Sequence, residues 1–372
     1  MDCAQSITAN DRGSANELLR KIRQHSSPFG DGNQRLAHYF ADGLEARLAG
    51  TGSQIHKALV CRRTSAADHM RAFSTYMASS PLGKITFFTL NKSMSIKSEK
   101  AMRVHVIDFG ILCGFQWPTF IQRLAEREGG PPKLRITGID FPLPGFRPAE
   151  RIETAGCWLA RHAKTLNVPF EFNAIAQKWE TIKIEDLKIE EGEFVAVSCS
   201  CRSKNLLDEP IGSESSRNMV LDLIRKINPD IFLHGIVNAA YGDPFFASRF
   251  RKALFHFSDL FDVLETTIPR EKPERLLIER DIFGKEVLNI IACEGRERVE
   301  RPETYKQWQS RHLRVGFMGV PFERKVMDTV MYKVREFNLR EFVVIEDNNW
   351  LLMSWKGRII YAISCWQPVL RN

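Results

Sequence analysis

Residues 104 to 117, Val-His-Val-Ile-Asp-Phe-Gly-Ile-Leu-Cys-Gly-Phe-Gln-Trp, constrain the fold more than any other stretch of the chain. An apolar run ends in Asp108, glycines follow at Gly110 and Gly114, and an apolar helical pattern begins near Trp117. A continuous apolar strand is one covered on both faces, as in a parallel sheet. Glycine just after it permits the tight turn into the next helix. About two dozen residues further on, Arg135-Ile-Thr-Gly-Ile-Asp140 repeats the strand and its terminal carboxylate, the position where Rossmann-like folds place the ribose-binding acid. Such an acid grips the hydroxyls of a nucleotide or of S-adenosylmethionine. Asp108, Gly110, Gly114, Gln116 and Asp140 are therefore the candidate ligand cleft. Two plainer roles compete with it: Asp108 as a helix cap and Trp117 as packing.

The same alternation continues. Lys133 to Asp140, Pro169 to Ile175, Glu193 to Cys201 and Asp230 to Val237 read as buried parallel strands. Between them, Pro148 is placed just inside the start of a helix whose Ile152, Ala155, Leu159 and Leu166 share a face, and Pro229 closes another carrying Val220, Leu223, Ile224 and Ile227. Residues 276 to 293 favour helical periodicity. Glu341 to Asn348, Trp350 to Lys356 and Arg358 to Trp366 are separated by very short turns, which predicts an antiparallel meander with Trp350, Trp355 and Trp366 in its core. The fold class is α/β: a Rossmann-like, methyltransferase-like, mostly parallel sheet with antiparallel C-terminal strands.

The first hundred residues read as helices. Apolar residues recur at three and four in Leu18-Leu19-Ile22 and in Leu36, Phe40, Leu44 and Leu48, with Pro28 to Gly32 as the turn between them. Helices are expected over Asn33 to Ala49, Ser53 to Cys61 and Ala66 to Ala78, and a basic-apolar segment runs from Phe87 to Met102. This predicts an N-terminal helical cap, 1–103, serving dimerisation, before a core at 104–372.

The chain has 372 residues, 44% of them hydrophobic, enough for one large core or a core with a subdomain. No apolar run approaches the roughly 20 residues of a membrane helix, and the start lacks a secretory pattern, so an intracellular protein without membrane partners is expected. The 8 cysteines lack CxxC spacing, and Cys199, Cys201, Cys293 and Cys365 lie in apolar runs, as structural cysteines do. No metal or cofactor is expected. His105 and His234, within apolar strands, read as satisfied core histidines. A net charge of +8 suits an acidic partner. Basic groups such as Arg62-Arg63 and Arg249 to Lys252 are more often solvated faces. Lys133, Arg135, Arg147 and Arg151 are the candidate DNA contacts, with Arg147 and Arg151 on one side of a helix start. Salt bridging to Glu150 or Glu153 is the equal alternative.

The wording of the first motif adds a resemblance. VHVID, then Phe109-Gly110 and Gly114-Phe-Gln-Trp-Pro118, resembles the signature of the GRAS family of plant transcriptional regulators. Leu206-Leu207-Asp208-Glu209 and Asn228-Pro229 look like its second leucine-rich region, and Leu254 to Asp262 with Pro269-Arg-Glu271 partly match its PFYRE motif. Arg298-Val-Glu-Arg301 is similar to its RVER element, Trp308 and Gly316 to its W-x7-G spacing, and Trp355 with Ser364-Cys-Trp366 to its SAW region, with Cys365 in place of alanine. The series spans nearly the whole chain. It looks like an isolated GRAS domain of a SCARECROW-like branch, opening inside the first leucine-rich region, without a DELLA-type segment.

That resemblance implies a nuclear transcription regulator and not an enzyme. It would act through homodimers or heterodimers with related proteins, other transcription factors and, in some members, weak direct DNA contact. The alternative is a small-molecule sensor, for a nucleotide-like or metabolite-like ligand, that keeps a vestigial methyltransferase cleft. An active S-adenosylmethionine-dependent methyltransferase ranks below both. Ile111-Leu112-Cys113 places bulk between the glycines, and Val197 to Arg202 offers no evident general base.

Overall fold

The computed structural model describes residues 1–61, 66–207 and 215–369. The Arg62-Arg63 pair and Asp208-Glu209 lie outside the described residues. The chain packs as two compact units. One comprises Met1–Lys84, Val237–Thr304 and Ser354–Ile360; the other comprises Ile85–Ile236, Tyr305–Met353 and Tyr361–Asn372.

The first unit is helical. Its helix Gly32–Leu48 starts at a capping box in which Asp31 Oδ1 accepts from Gln34 N at 2.9 Å and Gln34 Oε1 accepts from Asp31 N at 3.0 Å. The apolar face that follows, Leu36, Phe40 and Leu44, needs a partner, and helices from far along the chain supply it. Phe250 on Phe246–Thr267 meets Phe40 edge-on at 5.5 Å, and Ile291 on Lys285–Ala292 comes so close that a Cβ at Gly43 would lie 3.0 Å from it. The unit is therefore interleaved in sequence, in place of a cap ending at residue 103. Residues 276–293 are helical as expected, with a π-helical turn at Glu279–Gly284.

The second unit holds most of the sheet. The strands are β1 Arg103–Phe109, β2 Lys133–Asp140, β3 Phe170–Ala176, β4 Phe194–Ser200, β5 Ile231–Val237, β6 Phe317–Val320, β7 Phe342–Asp347, β8 Trp350–Trp355 and β9 Arg358–Pro368, of which the ends of β8 and β9 near their shared turn belong to the first unit. Their order is β3-β2-β1-β4-β5-β9-β8-β7, and β6 pairs antiparallel with the end of β9. The first five are parallel, as their continuous apolar runs predict. The two-residue turns make the C-terminal strands antiparallel. Asp108 pairs with Gly138 on one side and Ser198 on the other, so the carboxyl ends of β1, β2 and β4 lie side by side.

Two expectations need correction. The helix expected to begin with Pro148 inside it spans Glu150–Thr165, so Pro148 lies before it, where its carbonyl accepts from Leu143 N at 3.0 Å. The segment expected over 87–102 is the helix Pro81–Lys97. The three tryptophans are all buried, but Trp355 belongs to the helical unit, where its Nε1 donates to Asp262 Oδ2 at 2.6 Å.

Between β5, which carries His234, and the helix Tyr305–Val315, which carries His312, the sheet unit buries a histidine pair whose protons can be placed. His312 Nδ1 lies 2.5 Å from the carbonyl of Trp308, which can only accept, so this nitrogen carries the proton and Nε2 accepts. His234 Nδ1, 3.2 Å away, must donate to it, and His234 Nε2 accepts from Ser203 Oγ at 3.0 Å. Burial lowers both imidazoles, His234 well below its usual range and His312 to about 3; burial also lowers His105, to about 4. The unfolded chain binds protons at these sites from about pH 6.5 downward and the folded chain does not, so their stabilisation is whole above that pH and falls below it. Asp108, raised to about 7, works in the opposite sense, as do Glu279 and Asp259, also raised by burial; His56, lowered by burial, joins the three imidazoles, which set the expected direction. The urea midpoint is therefore expected to drop between pH 7 and pH 5. A midpoint that holds or rises over that interval would contradict the neutral pair.

Candidate functional site

The cleft residues converge at the carboxyl ends of β1, β2 and β4, the place where open α/β sheets bind ligands. Asp108 is buried, and its Oδ2 accepts from Trp117 Nε1 at 2.8 Å; it therefore fixes a side chain of the helix Trp117–Ala125 and does not cap its backbone. Burial pushes its carboxyl up to about 7, against the Trp117 bond and with a smaller push from the charge of Asp140. Gln116 is tied down as well. Its Nε2 donates to Asn91 Oδ1 at 3.1 Å, and its Oε1 accepts from Ser200 Oγ at 3.2 Å.

Asp140, the residue placed to hold ribose hydroxyls, has both oxygens engaged by the protein. Oδ2 accepts from Arg151 Nη2 at 2.9 Å; Oδ1 accepts from Arg202 Nη2 at 3.2 Å and from the Phe141 amide at 2.8 Å. Gly110, at φ +102°, needs its glycine, but what approaches it is protein. A Cβ there would sit 2.5 Å from Arg202 Cβ, closer still to Arg202 Cγ, and 3.4 Å from Trp179 Cζ2. Trp179, wholly buried, stacks on Phe141 at 5.1 Å and meets Phe109 edge-on at 5.4 Å. Ile111 turns inward onto Gly138, and a Cβ at Gly114 would touch Leu159 at 3.0 Å. Two loop amides are closed too: Gly110 N and Ile111 N both donate to the Ile139 carbonyl, at 2.8 and 3.1 Å.

S-adenosylmethionine does not fit these residues. Its ribose acid is clamped by two guanidiniums, the glycine approach is filled by Arg202, and the cationic sulfonium would meet further positive charge. Arg202, Trp179 and Phe141 define the cleft although no sequence pattern marked them. The one signal was position: Arg202 follows the strand adjacent to β1, at its carboxyl end.

The candidate DNA residues do not form one surface. Arg135 is buried, its guanidinium on Glu193 and, at 2.8 Å, on the Lys188 carbonyl. Arg151 turns to Asp140, whereas Arg147 is exposed and pairs with Glu150 at 3.3 Å and Glu153 at 3.6 Å, so the two do not share a face at a helix start. Lys133 pairs with Glu171 at 2.6 Å, at the opposite end of β2 from Arg147. His105 is held between Glu193 at 3.2 Å and Thr137 at 2.8 Å, and Arg249 is buried against the Ile290 carbonyl, so neither faces a ligand.

The family model described as the GRAS domain family matches residues 1–367. The chain belongs to the GRAS domain family. Scarecrow-like protein 9 of Arabidopsis thaliana is 56% identical to this GRAS domain over 366 residues, covering 98% of this chain and 51% of that protein. Scarecrow-like protein 14 from the same plant is 53% identical over 367 residues, covering 98% and 48%. The chain thus spans about half the length of these curated relatives. Scarecrow-like transcription factor PAT1, also of Arabidopsis thaliana, is 31% identical over 99% of this chain and 75% of its own length. A crystal structure of SCL7 in Oryza sativa matches with a TM-score of 0.77 at 28% identity, covering 99% of this chain and all of that one. Among the described residues, no helix is long and apolar enough to cross a membrane.

Proposed function

We propose that this GRAS domain regulates transcription in the plant nucleus as a non-catalytic scaffold. The observation that carries the proposal is the closure of the nucleotide frame by the protein's own side chains, Arg202 on Gly110 and two guanidiniums on Asp140. A frame filled in this way supports packing and recognition by partners, with the groups that would hold a methyl donor already engaged. The printed name of the relative PAT1, a transcription factor, supports the same reading. Homodimers or heterodimers with related chains form through the helical unit, whose expected role is dimerisation. Other transcription factors are the remaining partners. Direct DNA contact is weak and electrostatic, following the net charge of +8, and falls steeply with salt.

Chromatin immunoprecipitation of the tagged chain from plant cells tests this. Enrichment at discrete promoter regions is expected; coverage no different from an untagged control would contradict it. Light scattering of the purified chain is expected to give a dimer at micromolar concentration, and a strict monomer would remove dimerisation from the proposal.

A further inference from the structure

Closing the cofactor frame has left a different chemistry at its mouth. Arg151 and Arg202 both contact Asp140, two cations on one carboxylate. Neither side chain is sealed off: Arg151 is 31% and Arg202 20% exposed. Asp108, the other acid at these strand ends, is turned to Trp117.

The hydrogen-bonding inventory is equally one-sided. Arg151 Nε, Arg202 Nε and Trp179 Nε1 are buried donors with no partner among the described residues. Trp179 is wholly buried, and the indole edge carrying Nε1 also carries Cζ2, which faces Gly110 beside Arg202. Buried donors without acceptors are rare in native proteins. Two of these donors belong to the arginines that meet at Asp140, where a group that only accepts would answer them. The Gly110 and Ile111 amides cannot join a phosphate cradle at this turn, because both are spent on the Ile139 carbonyl. Recognition falls to the side chains.

We infer that the carboxyl ends of β1, β2 and β4 bind a phosphate group, free or as a small ester, on Arg151 and Arg202 beside Asp140. The two arginines come from separate elements, the helix Glu150–Thr165 and the turn after β4, so they present two donor forks from different directions. A phosphate offers enough oxygens to meet both forks at once, where a carboxylate matches a single fork. Its charge offsets the cationic excess that opposes S-adenosylmethionine. The Phe141–Trp179 stack lies alongside, 5.9 Å from the Arg202 guanidinium at its Phe141 face. This inference rests on the geometry of the sheet unit and stands apart from the regulatory role.

Calorimetry of the full chain with inorganic phosphate and with phenyl phosphate, against chloride at matched ionic strength, tests it. Saturable binding is expected, weakened about tenfold or more in Arg202→Gln and in Arg151→Gln, since each loses a charge-assisted fork. Binding should be unchanged in Lys133→Gln, which removes a surface cation elsewhere. Tighter binding of phenyl phosphate identifies an ester as the ligand; equal or weaker binding identifies free phosphate. Should Arg202→Gln fail to fold, Arg202→Lys, which keeps the charge but not the fork, is expected to bind several-fold more weakly than the parent chain. No saturable heat at about 10 mM phosphate or ester, where even a weak anion site of −4 kcal/mol class would fill, overturns the inference. Undiminished binding in the folded arginine variants does the same.

Discussion

Trp366→Ala is expected to lower the unfolding free energy of the sheet unit by about 3–5 kcal/mol, the range for emptying a buried tryptophan site. Trp366 is 1% exposed and stacks on His312 at 4.2 Å with an interplanar angle of 12°. It meets Trp350 edge-on at 6.0 Å, and its Nε1 donates to Ser364 Oγ at 2.7 Å. Truncation opens a cavity, removes one wall from the buried histidine pair and strips Ser364 of a donor. Trp366→Phe keeps a ring on His312 and loses only the second ring and the hydrogen bond, so a cost of about 1–3 kcal/mol is expected. Urea unfolding followed by circular dichroism reads both values. A loss under about 1 kcal/mol for the alanine variant would mean that the site collapses freely, against the packing described. The substitution resembles a functional lesion in a mutant screen, yet its origin is the core.

Glu279→Gln is expected to cost the helical unit about 3–5 kcal/mol, because it leaves buried cations without their counter-charge. Arg35 and Glu279 are wholly buried, and Arg275 is nearly so. Glu279 Oε1 accepts from Arg35 Nε at 2.8 Å and from Arg275 Nη1 at 3.0 Å, and Oε2 lies 2.9 Å from Arg275 Nη1. Burial raises the Glu279 carboxyl and the two guanidiniums oppose that rise, so the amide replacement removes the charge that both arginines share. Arg35 also reaches Glu265 at 2.6 Å, but that acid is partly exposed and Arg275 gains nothing from it. Glu265→Gln is accordingly expected to cost about 1 kcal/mol, since Arg35 keeps Glu279. Urea midpoints of the two variants, compared side by side, check the ranking. Equal effects would show that the buried acid carries no special weight.

These two sites mark what the sequence could and could not convey. Strands β1 and β2 were legible because parallel strands covered on both faces are continuous apolar runs, and their terminal acids, Asp108 and Asp140, stand out against that background. The antiparallel end was legible from the short turns at Asn348-Asn349 and Lys356-Gly357. Family membership was legible because its motifs fall in order along the whole chain. The Arg35–Glu279 pair was not, since 244 residues separate its partners and neither lies in a pattern that points to the other. Interleaving of the helical unit was hidden for the same reason: an apolar helix face shows that something covers it, never which helix.

The candidate site was legible only as a frame. Asp108, Gly110, Gly114, Gln116 and Asp140 do lie together or in adjoining turns, but their side-chain partners invert their meaning. Arg202 and Trp179 sit outside regular strands, where no periodicity constrains the reading, and they fill what the glycines would otherwise leave open. Among the basic residues, sequence spacing treated Arg135 and Arg151 as surface charge, whereas Arg135 is buried on Glu193 and the part-exposed Arg151 turns to Asp140.

The central claim, a nucleotide frame closed by its own side chains and without methyltransferase chemistry, is tested most directly by titrating the purified chain with S-adenosylmethionine in a calorimeter. No saturable heat is expected at cofactor concentrations up to about 1 mM, equivalent to binding weaker than about −4 kcal/mol. A dissociation constant in the low micromolar range, about −8 kcal/mol, would contradict it, since Asp140 and Gly110 would then have to release Arg202 to the cofactor.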